Sequence, residues 1–232
     1  MSIRERLEII RDRIERAAEK SGRKAEDIIL LAACKGVDNE RVKEAIEEGV
    51  KYIGDNYVQE AIKRKEELGA LLNDIQWHFI GHLQSNKVKK ALELFQMIQT
   101  VDSLPLALEI DKRAKAKGKA FPILIEINIG EEPSKFGIKP GELFGFLEQL
   151  RELQGIKVLG LMTMGPPLEK EKMRPYFAKM RELFEEARES FKSAGNIDMQ
   201  ILSMGMSSDY DVAIEEGSNL VRLGTAIFGE RR

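Results

Sequence analysis

The chain has 232 residues, of which 43% are hydrophobic and 33% charged, and its formal net charge is -2. This composition is typical of a globular protein with a buried core, and without a basic excess neither nucleic acid nor an anionic membrane surface is expected as the main partner. The single cysteine, Cys34, excludes an intrachain disulfide, the charged N-terminus does not resemble a signal peptide, and the longest apolar runs are only strand-length. We therefore expect a cytoplasmic protein with no membrane span.

Predicted strands and helices alternate along the whole chain. An amphipathic helix over residues 2–18 comes first, with apolar residues at helical spacing. Eight strands are predicted at residues 28–34, 50–54, 75–80, 95–101, 121–129, 156–162, 199–203 and 220–223. Helices are predicted between them at residues 39–48, 57–68, 85–94, 104–117, 140–153, 170–194 and 208–216, and a short turn follows the last strand.

Eight consecutive strand–helix units predict an α/β fold, a single (β/α)8 TIM barrel with an extra N-terminal helix. An open doubly wound sheet is the competing fold, but so many units in so few residues favour a closed barrel. No linker rich in proline, glycine or serine divides the sequence, so we expect one domain over residues 1–232.

The apolar run over residues 28–34 ends abruptly in Lys35. In barrels and open α/β sheets, ligands bind at the C-terminal ends of the strands, so this lysine is expected at the functional end of the fold. Partial desolvation of such an amine lowers its pKa and frees its lone pair for attack on a carbonyl. The alternative is a lysine that leaves the core and is simply solvated.

The other strand ends carry further candidate residues. They are Asn56, His78, Ser203, Met204, Ser207, Gly224 and Thr225. The last two loops of a barrel are the usual phosphate position, and residues 205–209 and 224–225 offer glycines, hydroxyls and helix N-termini there. The alternative is ordinary helix capping by Ser208 or Asp209 and an ordinary turn at Gly224.

Arg222 lies inside an otherwise apolar strand, where an unpaired charge is costly. It either forms a structural ion pair with a carboxylate of a neighbouring strand or contacts a bound cofactor. A lysine, a phosphate site and an inward arginine are what pyridoxal 5'-phosphate (PLP) requires. His78 and His82 are four residues apart on a strand and loop, with Cys34 a weak third ligand, so we expect no zinc site.

Four segments resemble the pyridoxal phosphate homeostasis family. They are residues 54–60 (GDNYVQE), 77–87 (WHFIGHLQSNK), 202–209 (LSMGMSSD) and 221–229 (VRLGTAIFG). The resemblance implies a barrel like that of alanine racemase, with PLP held as a Schiff base on Lys35. It also implies Asn56 near the cofactor, Ser207, Gly224 and Thr225 at its phosphate, and Arg222 facing its pyridine nitrogen. The sequence departs from the family at Cys34, where serine is usual, and at Asp55, where glutamate is usual, so a long-range contact of that carboxylate is in doubt.

The resemblance implies a carrier that holds PLP and supplies it to apo-enzymes, rather than an enzyme. A weak amino-acid racemase is the alternative, although no base for the second face of a substrate is evident. A third hypothesis is a regulatory scaffold with a structural cofactor. We expect a monomer. Lys87 and Lys135 are candidates for holding a second PLP in transit; the alternative is a solvated lysine, which is the commoner case at such positions.

Overall fold

The computed structural model describes residues 1–230, and in it eight parallel strands close into a barrel. The strands are β1 (Ile29–Ala33), β2 (Tyr52–Asp55), β3 (Gln76–Phe79), β4 (Met97–Val101), β5 (Phe121–Glu126), β6 (Ile156–Met162), β7 (Ile197–Ser203) and β8 (Leu220–Leu223). Each strand pairs with the next along the chain, and β8 pairs with β1. The predicted (β/α)8 barrel is therefore confirmed and the open sheet is excluded; Arg231 and Arg232, the last residues of the predicted domain, lie outside the described residues.

Nine α-helices occur in the described part of the chain. They are α1 (Ile3–Lys20), α2 (Asn39–Glu47), α3 (Val58–Leu68), α4 (Val88–Leu94), α5 (Leu104–Lys115), α6 (Leu143–Leu150), α7 (Lys170–Ser190), α8 (Tyr210–Glu215) and α9 (Thr225–Phe228). Asp38 caps α2 by accepting the Arg41 N–H at 3.0 Å. The last helix replaces the short turn predicted after the final strand.

Several predicted boundaries were wrong. The helices expected at residues 85–94 and 140–153 begin as 3₁₀ turns over Ser85–Lys87 and Pro140–Glu142, and α7 ends at Ser190 rather than residue 194. β7 begins two residues early, and β5 ends at Glu126 rather than residue 129. The chain leaves the barrel there because the Asn128 side chain bonds the backbone N–H and C=O of Glu132, at 3.1 and 2.8 Å, and so folds the loop back on itself.

The extra N-terminal helix completes the outer ring. Its buried stripe includes Ile3, Leu7, Ile10 and Ile14, and Ser2 and Glu5 form a capping box at its start. It packs against α8, α9 and α2. Because α9 spans only four residues, α1 takes the position that a full-length eighth helix would fill. No helix among residues 1–230 is long and apolar enough to cross a membrane.

Candidate functional site

Loops at the C-terminal end of the barrel surround a cavity of about 280 Å³. Six of the nine predicted site residues line it: Lys35, Asn56, Ser207, Arg222, Gly224 and Thr225. Met206 and Ser208, from the predicted phosphate loop of residues 205–209, also line it, and three residues that the sequence did not single out complete the lining, namely Ala33, Ile80 and Met164. One small cavity thus brings together an amine, an amide, hydroxyls and a guanidinium from strands β1, β2, β7 and β8 and their loops.

Lys35 follows Cys34, which is fully buried, and is itself half-buried. It lines the small cavity and also a larger neighbouring one of about 660 Å³, and Ala33, Gly224 and Thr225 are likewise shared by the two. The amine therefore lies at the junction of two open spaces. We place the reactive site in the smaller cavity because Asn56, Ser207 and Arg222 line that one and not the other.

Asn56 has an unsatisfied polar atom at this site. Its Oδ1 is buried and has no hydrogen-bond partner among the described residues. The backbone of Asn56 is approached closely by Gly81, where an added Cβ would lie 2.2 Å from the Asn56 carbonyl oxygen. Thr100 holds that glycine by donating its hydroxyl to the Gly81 carbonyl at 2.5 Å. Buried acceptors are nearly always paired, so the free Oδ1 indicates a position where a ligand can donate.

The hydroxyl of Ser207 lies against the start of α9. Its Oγ accepts the backbone N–H of Gly224 at 3.3 Å and that of Ala226 at 3.1 Å, which leaves the hydroxyl proton free to donate to an anion. Asp209 occupies the N-cap position of α8, but its side chain makes no capping bond. It accepts the Met206 N–H at 2.7 Å instead and so fixes the loop that carries Ser207; burial raises the pKa of this carboxyl.

Arg222 is 5% exposed and donates to two uncharged oxygens, Ser203 Oγ and the Thr163 carbonyl, each at 2.6 Å. Within residues 1–230 this guanidinium is in no salt bridge, so the direct ion pair considered as an alternative is not present. Burial lowers the pKa of Arg222 to about 10, against the opposing charges of Glu126 and Asp209. The side chain is still protonated at neutral pH, and its charge is not matched by a contacting carboxylate.

A chain of buried polar groups runs from Arg222 across the barrel. Ser203 Oγ donates to Gln99 Oε1 at 2.7 Å, and Gln99 Nε2 lies 2.8 Å from His78 Nδ1. Burial lowers the pKa of His78 to about 4, so the ring is neutral, accepts at Nδ1 and carries its proton on Nε2. His78, Ser203 and Met204 are buried and do not line the small cavity. His78 and Ser203 are therefore connected to the cavity only through this hydrogen-bonded chain, which ends at Arg222.

Glu126 ends β5 and is 2% exposed. Burial and then the charge of Asp102 raise its pKa to about 7, while Arg222 acts in the opposite direction. This carboxyl and Arg222 are thus electrostatically coupled inside the barrel. Folding brings an acid whose pKa is near neutrality into the electrostatic field of Arg222, which lines the small cavity.

Sequence reasoning missed three residues that contact or influence the site residues: Arg64, Gln99 and Glu126. Gln99 lies in the predicted strand over residues 95–101, and a polar residue in a buried strand was a pattern that could have found it. Glu126 follows the apolar strand segment of residues 121–125 in the same way. Arg64 sits among lysines and glutamates, and nothing in that pattern distinguishes it from a solvated residue.

The remaining candidates lie apart from the small cavity. Lys135 pairs with Glu132 Oε1 at 2.7 Å and donates to the Gly165 carbonyl at 2.8 Å, and Lys87 ends the 3₁₀ turn before α4. Neither lysine lines the cavity. No group of three or more histidine, cysteine, aspartate or glutamate side chains suited to a metal ion occurs in residues 1–230.

Comparison with known proteins identifies the family of this chain. The chain matches the family model of the alanine racemase N-terminal domain over residues 6–232. It is 45% identical to the pyridoxal phosphate homeostasis protein of Aquifex aeolicus, with 100% of both chains covered. It is similar to the structure of PipY of Synechococcus elongatus with PLP bound, with a TM-score of 0.83 and 34% identity over 98% of this chain and 100% of PipY.

Alanine racemase of Clostridium difficile shares the fold, with a TM-score of 0.72 at 20% identity, covering 99% of this chain and 57% of the racemase. The resemblance inferred from the four sequence segments is thereby confirmed. With a full-length relative at 45% identity and a family model that spans nearly the whole sequence, the chain belongs to the pyridoxal phosphate homeostasis protein family, built on the alanine racemase N-terminal domain.

Proposed function

We propose that this protein binds PLP in the small cavity, holds it as a Schiff base on Lys35, and supplies it to other enzymes. The observation that carries the proposal is the convergence of Lys35, Ser207 and Arg222 on one cavity. The PLP-bound structure of PipY, a relative similar over its whole length, supports the choice of ligand. The proposal also includes a cytoplasmic location, apo-enzymes as recipients and a monomeric protein.

The residues present fit each part of the cofactor. A half-buried amine suits the aldehyde, since imine formation requires a lysine with an available lone pair. Ser207 and Thr225 line the cavity and supply hydroxyl donors for the phosphate, while the Gly224 N–H donates to Ser207 Oγ and holds that hydroxyl in place. The free Oδ1 of Asn56 can accept a hydrogen bond from the ligand. Bound PLP supplies an electrophilic carbon and an electron-withdrawing ring.

Arg222 argues for a carrier rather than a strong catalyst. Its guanidinium is protonated at neutral pH and has no contacting carboxylate, so it donates to a ring nitrogen without protonating it. An unprotonated pyridine is a weaker electron sink. The racemase alternative is not favoured, because the full-length relatives are homeostasis proteins while the likeness to alanine racemase at 20% identity concerns the fold.

An absorbance titration followed by a transfer assay tests the proposal. We expect wild-type protein to gain a visible imine band with PLP, and Lys35→Ala to gain none. Loaded protein should then activate an apo PLP-dependent enzyme without racemising alanine, and light scattering should give a monomer mass. A Lys35→Ala protein with the same band would contradict the site, and alanine racemisation at enzyme-like turnover, on the order of 1 per second or faster, would contradict the carrier role.

A further inference from the structure

A buried ion pair contacts the backbone next to two site residues, Lys35 and Asn56. Asp55 is 0% exposed and Arg64, from α3, is 2% exposed. Arg64 Nε and Nη2 donate to the two carboxylate oxygens of Asp55 at 3.0 and 3.1 Å. Trp77 Nε1 donates to the same carboxylate at 2.9 Å. The sequence left a long-range contact of the Asp55 carboxylate in doubt. In the structure this carboxylate accepts short-range hydrogen bonds from side chains of α3 and β3.

The same guanidinium also contacts the turn that carries Lys35. Arg64 Nη2 donates to the Cys34 carbonyl at 3.1 Å, and that carbonyl also accepts the Val37 N–H at 3.0 Å. The latter bond closes a turn in which Lys35 and Gly36 are the central residues, and Gly36 adopts a φ of 65°. An arginine on α3 thus holds the residue immediately before the reactive lysine.

A second residue of α3 holds the other side of this turn. Glu60 lies one helical turn before Arg64, and its Oε2 accepts the Gly36 N–H at 3.2 Å. Lys35 is therefore flanked by two backbone groups that are both fixed by α3. Meanwhile Asp55, bound by Arg64, is the residue immediately before Asn56. One helix consequently sets the backbone position of the site residues on both β1 and β2.

We propose that Arg64 is a positioning residue for PLP capture, acting as a bridge that fixes the Lys35 turn relative to Asn56. This inference rests on the proposed function. A bidentate arginine presents its donors in a rigid fork, so it can bind Asp55 and the Cys34 carbonyl at once. A lysine in its place keeps the positive charge but has a single head group, which satisfies the carboxylate without spanning both partners.

The role as a bridge predicts a specific pattern in two variants. Arg64→Lys keeps most of the thermal stability that Arg64→Met loses, because it retains a charge beside Asp55. Both variants form the imine slowly: at saturating PLP the first-order rate of formation falls about tenfold or more in each, since small displacements of a reacting group have large rate costs. Stopped-flow absorbance measures the rate, and thermal unfolding of the apoprotein measures stability.

Arg23 provides a matched control. It is partly buried and donates to the carbonyls of Ile214, Gly217 and Ser218 at the opposite end of the barrel. Arg23→Met is expected to lower thermal stability and leave the imine rate at the wild-type value. Wild-type protein that forms no imine would contradict the proposed function itself. Given a wild-type band, the bridge is overturned by wild-type rates in folded Arg64→Lys, or by an equal slowing in Arg23→Met.

Discussion

Among residues 1–230, two arginines are buried near the C-terminal ends of the strands, and their hydrogen-bond partners differ in kind. Arg64 is bound by both oxygens of Asp55; although burial opposes it, this pairing leaves the pKa of Arg64 above its ordinary value. Arg222 contacts only a hydroxyl and a carbonyl, and burial lowers its pKa to about 10. The first charge is neutralised by the protein, and the second faces the cavity without a contacting carboxylate.

This difference distinguishes a structural charge from one available to a ligand. Burying a charge without a contacting counter-ion is unfavourable, so the fold tolerates Arg222 at a cost in stability that binding of the proposed cofactor would offset. Arg64 does not line the cavity, and its burial costs less stability because Asp55 compensates its charge. The sequence identified only one of the two arginines. Arg222, in an apolar strand, was predicted to be functional, whereas Arg64, in a charged helix, was not singled out.

The largest expected effect on stability comes from replacing each arginine by methionine. Arg64→Met leaves Asp55 buried without its partner, which costs about 3–5 kcal/mol of unfolding free energy. Arg222→Met leaves only a hydroxyl and a carbonyl to be satisfied, so the expected cost is about 1–3 kcal/mol. Urea unfolding of the two apoproteins measures the difference.

A double variant checks the reason for that difference. Asp55→Asn combined with Arg64→Met removes the stranded carboxylate and should recover part of the lost stability. For PLP affinity we expect a direct loss in Arg222→Met, from the removed donor. An Arg222→Met apoprotein less stable than Arg64→Met would break the comparison.

Glu126 allows a further test of the comparison, because its charge raises the pKa of Arg222 and does not affect that of Arg64. Folding raises its pKa from 4.5 to about 7, mainly through burial. The folded state therefore binds this proton more tightly, so the contribution of Glu126 to stability is full below pH 4.5 and is lost as pH rises through about 7. Glu126→Gln should be more stable than wild type at about pH 8 by about 2 kcal/mol, with a smaller gain at about pH 5.

Urea unfolding at the two pH values measures this effect, and Glu148→Gln is the control, since that side chain is 56% exposed. If Glu126→Gln keeps the wild-type change of stability between the two pH values, the raised pKa assigned to Glu126 is wrong.

His78 gives the smallest effect, at the far end of the polar chain from Arg222. Burial lowers its pKa to about 4, so its imidazole should remain neutral, with the proton on Nε2, at every pH above about 5. Its contribution to stability is present above the unfolded value of 6.5 and is lost as pH falls through about 4. Nitrogen-15 NMR of the ring measures the protonation state directly, and a titration midpoint near 6.5 would contradict the buried, hydrogen-bonded environment.

The barrel was predictable because its evidence is local and repeated. Buried parallel strands appear as short apolar runs, and the helices between them show their own period, so the alternation was visible along the whole sequence. The end of β5 was not, because Asn128 closes its loop through bonds to Glu132 that no periodicity encodes.

The site was predictable where a residue interrupts an apolar strand, follows it directly or lies in the last two loops of the barrel. Lys35 and Arg222 do so and line the cavity. Arg64 was not predictable, since its charged neighbours on α3 resemble a solvated face. It becomes buried only when the barrel closes and brings α3 over the ends of β1 and β2, and this tertiary contact leaves no trace in the spacing of residues.

Reductive trapping tests the central claim most directly. Purified protein loaded with PLP is treated with borohydride, digested and mapped by mass spectrometry. We predict a stable pyridoxyl adduct on the peptide that contains Lys35 and loss of the adduct in Lys35→Ala. An adduct found only on another lysine, or no adduct after saturation with PLP, would contradict capture of the cofactor at the end of β1.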